Sequence, residues 1–209
     1  MFERLLKAVR PSLGFRSFAV HLGEYPASPA VCDAWIVSGS RRSVYEDEPW
    51  IRWLEAFVRD LHAARRRTVG ICFGHQMIGR ALGGRTEKAA QGWGIGRHSA
   101  RIVAREPWMQ PPLDDYGLFV SHQDQVTALP PGARALATNE HCPYSMFVVD
   151  DVLLGIQGHP EFDAAYARDL LSGRETLVGA ATVARALPTF DEATDARIVA
   201  QWMLGFLEH

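Results

Sequence analysis

Lysine, cysteine and long apolar runs are all scarce in this sequence. Lysine is limited to Lys7 and Lys88, and the many arginines are scattered, so the net charge of -2 gives no basic patch for nucleic acid or an anionic membrane. The three cysteines, Cys32, Cys72 and Cys142, have no metal-type spacing, and they favour a reducing, cytoplasmic compartment. No apolar run approaches the ~18 residues that a membrane span requires, and residues 1–10 lack the order of a signal peptide.

The overall composition is typical of an ordinary soluble globular protein. The chain has 209 residues, of which 47% are apolar, and we expect one domain over residues 1–209 that needs no disulfide or metal to fold. Apolar residues between Trp50 and Leu61 recur at spacings of three and four, which predicts a helix. The apolar runs 34–38 and 68–72 predict buried parallel strands.

The second half is rich in predicted strands. They cover residues 92–103, 118–120, 133–138, 146–149 and 153–157, and helices are predicted at 163–171 and 198–207. Strands alternating with helices, followed by a strand-rich half, predict an α/β three-layer domain around a mixed sheet. The chain opens with a predicted helix at 1–10 and a strand at 15–21. Such domains normally open with a central strand, so either that strand is supplied differently or the numbered sequence starts downstream of the natural start.

A cysteine flanked by glycines is the main functional signal. Residues 70–76, GICFGHQ, place Cys72 between Gly70 and Gly74, the form of a nucleophile elbow between a strand and a helix. Such a turn is strained, and the strand and helix pass so closely that side chains in place of the glycines would clash. Unpaired N–H groups at a helix N-terminus stabilise a thiolate. A buried cysteine before a glycine-rich turn would look the same, so the motif requires a partner.

That partner is the segment GHPEF at residues 158–162. His159 follows an apolar strand and can act as base to a thiol on a neighbouring strand end. Glu161 can hold the imidazole tautomer and stabilise an imidazolium ion, and Pro160 stiffens the turn between them. A strand-terminal His-Pro-Glu on its own is often only a turn, but together with the elbow it predicts a catalytic pair.

The two motifs together resemble the class I, triad-type glutamine amidotransferases, and are similar to the glutaminase domain of GMP synthetase. The resemblance covers roughly residues 34–162. It implies a flavodoxin-like fold with a mixed, mostly parallel central sheet. It also implies a Cys72–His159–Glu161 triad that hydrolyses a γ-glutamyl amide through a thioester on Cys72.

An oxyanion site is implied by the same resemblance. Residues 36–40, IVSGS, followed by SVY at 43–45, resemble the family's oxyanion loop. The backbone of Gly39 and Ser40 would then supply one donor, and the N–H of Phe73 after the nucleophile would supply another. An ordinary glycine between a strand and a loop is the alternative for Gly39.

Substrate contacts are implied at two further places. Gln76 matches the family's glutamine-binding residue. Ser121, His122 and Gln123 begin a segment that resembles S-H-G-D-x-V, whose backbone helps to hold the α-amino and carboxylate groups of glutamine. Gln123 stands where the family has glycine, so the contact there is expected to differ.

No cofactor or metal is expected, because His75 and His122 have no third ligand at metal-like spacing. The expected substrate is glutamine or another γ-glutamyl compound, processed by a free-standing member of the family. One alternative is a glutaminase subunit that delivers ammonia to a synthetase partner. A second is a non-catalytic binding or regulatory module of the same fold.

Overall fold

A mixed sheet of seven strands forms the centre of the computed structural model, which describes residues 1–208. The strand order is β1-β2-β9-β8-β7-β4-β5, and β3 pairs with β6 in a separate two-stranded sheet. The strands are β1 (Trp35–Val37), β2 (Thr68–Ile71), β3 (Arg85–Lys88), β4 (Gly94–Ile102), β5 (Asp115–His122), β6 (Asp124–Ala128), β7 (Ala133–Thr138), β8 (Met146–Val149) and β9 (Leu153–Ile156).

Helices cover both faces of the sheet. They are α1 (Phe2–Lys7), α2 (Pro49–Ala63), α3 (Phe73–Ala81), α4 (Ala164–Ser172), α5 (Glu175–Val178), α6 (Ala180–Ala186) and α7 (Ala196–Glu208), with short 3-10 helices at Val20–Leu22, Pro29–Val31 and Leu187–Asp191. One core includes the buried side chains of α2 and α3, and a second includes those of α7. The predicted α/β three-layer architecture is therefore confirmed. Within residues 1–208, none of the helices is both long and apolar enough to cross a bilayer.

The apolar periodicity explains the helix packing. In α2, Leu54, Phe57, Val58 and Leu61 are buried along one face, as their spacing predicted, whereas Trp50 and Trp53 are half-buried. In α7, Val199, Trp202, Met203 and Phe206 are fully buried and pack against the opposite face of the sheet. A third apolar cluster, which includes Phe119 and Phe190, joins β5 to the helical segment α4–α6.

The sheet contains less parallel pairing than expected. β1 pairs parallel with β2, and β2 with β9. The remaining neighbours, from β9 through β8, β7 and β4 to β5, pair antiparallel. The expectation of a mixed sheet is confirmed, but the expectation that it is mostly parallel is wrong. Short connections such as that between β8 and β9 return the chain directly to its neighbour, which makes antiparallel pairs.

The segment before β1 also differs from expectation. Residues 15–19 are irregular and Val20–Leu22 form a 3-10 helix, so the predicted strand at 15–21 is wrong. Phe18 packs against Trp35, at 5.8 Å between ring centroids, and this side-chain contact replaces sheet pairing. The strands β3 and β6 were not predicted, because β3 is polar, largely exposed and only four residues long.

The parallel strands bring three chain segments to one edge of the sheet. Val37 pairs with Gly70 in register, and Gly70 pairs with Gly155. The carboxyl ends of β1, β2 and β9 are therefore adjacent. Ligand sites in α/β sheets form at this edge, beyond the carboxyl ends of the strands. The residues that follow the three strands begin at 38, 72 and 157.

Candidate active site

Cys72 occupies the turn between β2 and α3. Its backbone has φ 52° and ψ -100°, a strained conformation for a residue with a side chain. The turn is held because the Cys72 N–H donates to the Ile156 carbonyl at 2.9 Å and the Cys72 carbonyl accepts from Gln76 N–H at 3.0 Å. The thiol lies at the N-terminus of α3, where backbone N–H groups lack intrahelical partners.

The two flanking glycines are required by close backbone contacts. A methyl group on Gly74 would lie 2.1 Å from the Val37 carbonyl oxygen, and one on Gly70 would lie 2.4 Å from the Gly74 carbonyl. These neighbours are backbone atoms of β1 and α3, so they cannot move without separating the strand from the helix. The elbow inferred from the spacing therefore has the packing that the motif requires.

His159 and Glu161 form a buried pair beside the elbow. His159 Nδ1 lies 2.8 Å from Glu161 Oε1, and the two residues are 5% and 8% exposed. The Phe162 ring stacks on the imidazole at a centroid distance of 3.9 Å. The His159 N–H donates to the Phe119 carbonyl at 2.8 Å, which anchors the turn to β5. The imidazole is therefore fixed by a carboxylate, an aromatic ring and its own backbone.

The electrostatics of His159 favour its protonated form. Burial of the ring opposes a charge, but the charges of Cys72 and Glu161, together with the hydrogen bond to Glu161, raise the pKa of His159 to about 10. The pair that the structure brings together is thus a thiol and an imidazole coupled by charge. Such a pair can exist as thiolate and imidazolium, which is a nucleophile with a proton donor beside it.

The loop after β1 faces the same point. A methyl group on Gly39 would lie 3.0 Å from His159 Cε1 and 3.7 Å from Cys72 Cβ. Ser40 follows, and its hydroxyl accepts from the Arg42 N–H at 3.1 Å. Phe73 is the first residue of α3 and is buried against Trp50, at 5.5 Å between ring centroids. Gly39 and the first turn of α3 therefore lie beside Cys72, and Ser40 follows Gly39 in the same loop.

A buried carboxylate, Asp124, connects this loop to the rest of the site; it occupies the aspartate position of the segment that resembles S-H-G-D-x-V. Asp124, 9% exposed, accepts hydrogen bonds from the Ser43 hydroxyl and, at 2.8 Å, from the Tyr45 hydroxyl. Its backbone carbonyl accepts from Gln76 Nε2 at 2.7 Å. Asp124 thus connects the loop after β1, helix α3 and strand β6.

The four expected substrate contacts lie at different depths. Gln76 is buried, and its amide nitrogen donates hydrogen bonds to the Asp124 carbonyl and to Gln157 Oε1. Its amide nitrogen is therefore held by other protein groups. His122 is buried and its Nδ1 lies 3.0 Å from the Asp124 carbonyl. The Gln123 carbonyl accepts from Ala89 N–H at 2.7 Å. The Ser121 hydroxyl accepts from Arg174, a residue far along the chain.

Three histidines form a cluster around one of these residues, His122. The ring centroids of His98 and His122 each lie 5.4 Å from that of His141. Burial and the neighbouring rings lower the pKa of His98 to about 4 and that of His122 further below its ordinary value, so both rings are uncharged at neutral pH. Within residues 1–208, no group of three or more His, Cys, Asp or Glu side chains has an arrangement that could hold a metal ion.

Arg174 is a site residue that sequence reasoning missed. It lies just before α5, and its Nη1 donates to Ser121 Oγ at 2.9 Å. Its guanidinium stands over the Trp93 ring at 5.9 Å. Partial burial and the nearby charge of Arg41 lower the pKa of Arg174, whereas the charge of Cys72 raises it by a smaller amount. Arg174 is therefore close enough to the thiol for their charges to interact.

Comparison with known proteins places the chain in a family. The model for "Glutamine amidotransferase class-I" matches residues 22–171. Gamma-glutamyl peptidase 4 of Arabidopsis thaliana is 34% identical over 165 residues, covering 74% of this chain and 63% of the relative. Gamma-glutamyl peptidase 2 of the same plant is 31% identical over 153 residues, covering 70% and 61%. The chain thus spans less than two thirds of the length of these relatives.

A GMP synthase and two solved structures are also similar. The GMP synthase of Bacillus subtilis is 33% identical over 138 residues, covering 65% of this chain and 26% of that protein. A glutamine amidotransferase structure from Methylobacillus flagellatus has a TM-score of 0.77 at 23% identity, over 97% and 84% of the two chains. One from Thermotoga maritima has a TM-score of 0.79 at 20% identity, over 100% and 90%, and both show the shared fold. The protein belongs to the class I glutamine amidotransferase family.

Proposed function

We propose that this protein hydrolyses γ-glutamyl amide bonds, with Cys72 as nucleophile, His159 as acid and base, and Glu161 as the group that orients His159. The observation that carries the proposal is the strained elbow at Cys72, with φ 52°, beside the buried His159–Glu161 hydrogen bond of 2.8 Å. A buried charge pair next to a strained nucleophile turn is costly for folding and useful for catalysis.

The first half of the proposed reaction forms a thioester. The Cys72 sulfur attacks the γ-carbonyl carbon, and the carbonyl oxygen takes up the negative charge. Backbone N–H groups of Gly39 or Ser40 and of Phe73 bind that oxyanion, each donor contributing about 3 kcal/mol. As the oxyanion collapses, the carbon–nitrogen bond breaks and His159 transfers its proton to the leaving nitrogen. A free amine, or ammonia from glutamine, leaves the γ-glutamyl thioester on Cys72.

The second half consumes water. His159, now neutral, takes a proton from a water molecule whose oxygen attacks the thioester carbon. The carbon–sulfur bond breaks, Cys72 departs as thiolate, and the γ-carboxyl group of free glutamate is formed. The imidazolium is restored beside the thiolate, with Glu161 stabilising its charge. One amide bond and one water molecule are consumed in each cycle, and no cofactor enters the scheme.

The relatives' names support γ-glutamyl peptides or conjugates as substrates. Four Arabidopsis relatives named gamma-glutamyl peptidase are 31% to 34% identical to this chain. The second candidate function is a glutaminase that passes ammonia to a synthetase partner, and the 33% identity to the Bacillus subtilis GMP synthase favours it. The two differ in the leaving group, which is an amino acid or peptide in the first case and ammonia in the second.

Hydrolysis by the purified chain, with Cys72→Ala as the key variant, tests the proposal. We expect steady release of glutamate from γ-glutamyl dipeptides, and at least a 10³-fold loss in the variant, with unchanged thermal stability. Cys32→Ala is the matched control and should retain full activity, because Cys32 lies outside the site. A diazoketone analogue of glutamine should label Cys72 alone, as seen by mass spectrometry.

The outcomes separate the candidates. Turnover of glutamine that appears only with an added synthetase would favour the glutaminase subunit. Undiminished hydrolysis by Cys72→Ala would exclude Cys72 as the nucleophile. A folded wild-type chain that is neither labelled nor active on any γ-glutamyl compound would leave the non-catalytic module as the remaining function.

A further inference from the structure

Arg174 is a partly buried cation at the edge of the proposed site. Its Nη1 donates to the Ser121 hydroxyl at 2.9 Å, and its guanidinium faces the Trp93 ring at 5.9 Å. Ser121 is near the end of β5 and Trp93 just precedes β4, so two strands of the sheet hold this side chain. A guanidinium fixed on a hydroxyl and an aromatic face is pre-organised for a planar ligand.

The positive charge of Arg174 has no protein counterion. Within residues 1–208, neither Arg174 nor Arg41 forms an ion pair with a carboxylate, whereas Arg4, Arg42 and Arg168 do. The charges of Arg41 and Cys72 both act on Arg174, so the two guanidinium groups and the thiol share one region. Partial burial of an unpaired charge is unfavourable, and a carboxylate ligand is the natural complement because it pairs with Arg bidentately.

Two aromatic rings connect the imidazole of His159 to the surroundings of Arg174. Phe162 stacks on His159 at 3.9 Å, and Tyr166 packs on Phe162 at 4.7 Å. Tyr166 also acts on the charge of Arg174. An apolar wall that runs from the reacting centre to a cation suits a ligand with a short methylene chain and a terminal carboxylate.

The chemistry of γ-glutamyl compounds identifies which carboxylate fits. In every γ-glutamyl substrate the α-carboxylate is separated from the reacting carbonyl by the same three carbons. A carboxylate on the leaving group varies in position and is absent from glutamine. A cation fixed relative to Cys72 can serve only a carboxylate at a fixed distance. We propose that Arg174, oriented by Ser121, binds the α-carboxylate of the γ-glutamyl group and selects it against acyl amides that lack this carboxylate, an inference that rests on the proposed hydrolase function.

Kinetics with matched substrates test the assignment. L-γ-Glutamyl-p-nitroanilide carries the α-carboxylate, and 4-aminobutyryl-p-nitroanilide is the same amide without it. We expect Arg174→Ala to lower kcat/KM for the first compound by about 10- to 100-fold, because charge-assisted hydrogen bonds are lost. For the second compound the change should stay within about threefold. Arg174→Lys should recover part of the loss, and Arg185→Ala, an exposed arginine on α6, is the control.

A second pair of substrates identifies the other source of a carboxylate. γ-Glutamylglycine and γ-glutamylglycinamide differ only in the carboxylate of the leaving group. We expect Arg174→Ala to impair both equally. An Arg174→Ala defect confined to γ-glutamylglycine, or an equal loss with both p-nitroanilides, would overturn the assignment.

Binding to an inactive variant keeps the test independent of turnover. In Cys72→Ala, we expect L-glutamate to bind more tightly than 4-aminobutyrate by calorimetry, and the added Arg174→Ala change should abolish that difference. Glutamate binding that is unchanged in the double variant would refute the role of Arg174. If the wild-type chain hydrolyses no γ-glutamyl compound, the proposed function fails, while this binding comparison still reports on the carboxylate site.

Discussion

Replacing Gly39 with alanine tests the geometry of the site without replacing any of the proposed reacting groups. The added methyl would lie 3.0 Å from His159 Cε1 and 3.7 Å from Cys72 Cβ. Ordinary carbon–carbon contacts are about 3.5–4.0 Å, so the imidazole must move by roughly half an ångström. The ring cannot move freely, because Glu161 holds Nδ1 at 2.8 Å and Phe162 covers its face at 3.9 Å.

The expected loss is catalytic. A displacement of about 1 Å in a reacting group costs about 10²-fold in rate, so for a shift of roughly half that size we expect kcat/KM for a γ-glutamyl peptide to fall by about 10-fold in Gly39→Ala. This corresponds to about 1.4 kcal/mol of transition-state stabilisation. Only one side chain, that of His159, lies closer than 3.7 Å to the added methyl, and its nearest contacts include no backbone atom. The free energy of unfolding should therefore change by less than about 1 kcal/mol, or roughly 2–4 °C in Tm.

Two matched substitutions complete the test. Gly14→Ala adds the same methyl where no atom lies within 4 Å, and should leave both activity and Tm unchanged. Gly74→Ala places it 2.1 Å from the Val37 carbonyl oxygen and should lower stability by several kcal/mol, because only backbone can yield. The reasoning is refuted if Gly39→Ala keeps kcat/KM within threefold of wild type, or if its Tm falls as far as that of Gly74→Ala.

Two further predictions follow from buried carboxylates. Asp124→Asn should loosen the loop that Ser43 and Tyr45 attach to it; we expect kcat/KM to fall about tenfold and proteolysis of residues 38–46 to accelerate, because hydrogen bonds to a charged acceptor are each worth about 1.5–3 kcal/mol. Unchanged rates of both would contradict this role. Glu161→Gln should lower the pKa of His159, which the charges of Cys72 and Glu161 raise from 6.5 to about 10. Because the folded-state pKa is raised, the stabilisation from charged His159 is fully present below about pH 6.5 and is lost as pH rises through about 10. In the variant, the alkaline limb of the kcat/KM profile and the alkaline fall in Tm should both move to lower pH, and coincident profiles for the two proteins would disprove the coupling.

The elbow and the strand-end histidine could be predicted because they depend on local geometry. A turn as tight as that at Cys72 needs glycine at 70 and 74, and the structure shows methyl groups there would clash with backbone. The helix α2 could be predicted equally well, since its apolar spacing alone specifies which face is buried. In each case the requirement involves residues only a few positions apart.

The incorrect predictions concern strands, whose pairing partners are distant in the sequence. The alternating residues 15–21 form no strand, because no neighbouring strand pairs with them in the described structure. The antiparallel share of the sheet depends on which strand lies beside which, and strand-by-strand patterns do not specify partners. Strands β3 and β6 are separated by β4 and β5 and are too short and polar to stand out.

The residues that surround Cys72 divide in the same way. The spacing of Gly70, Cys72 and Gly74, with His159 and Glu161, was sufficient to predict a thiol elbow and a histidine–carboxylate pair, since each of these units forms within a few residues. The Asp124 contacts join residues 79 and 81 positions apart, and Arg174 reaches Ser121 across 53. Polar side chains of this kind show no periodicity, and their partners are set by how β5, β6 and the segment before α5 pack together. Folding therefore decides how the loop after β1 is held and which cation lies near Cys72, whereas Cys72 as the proposed nucleophile could already be inferred from the sequence.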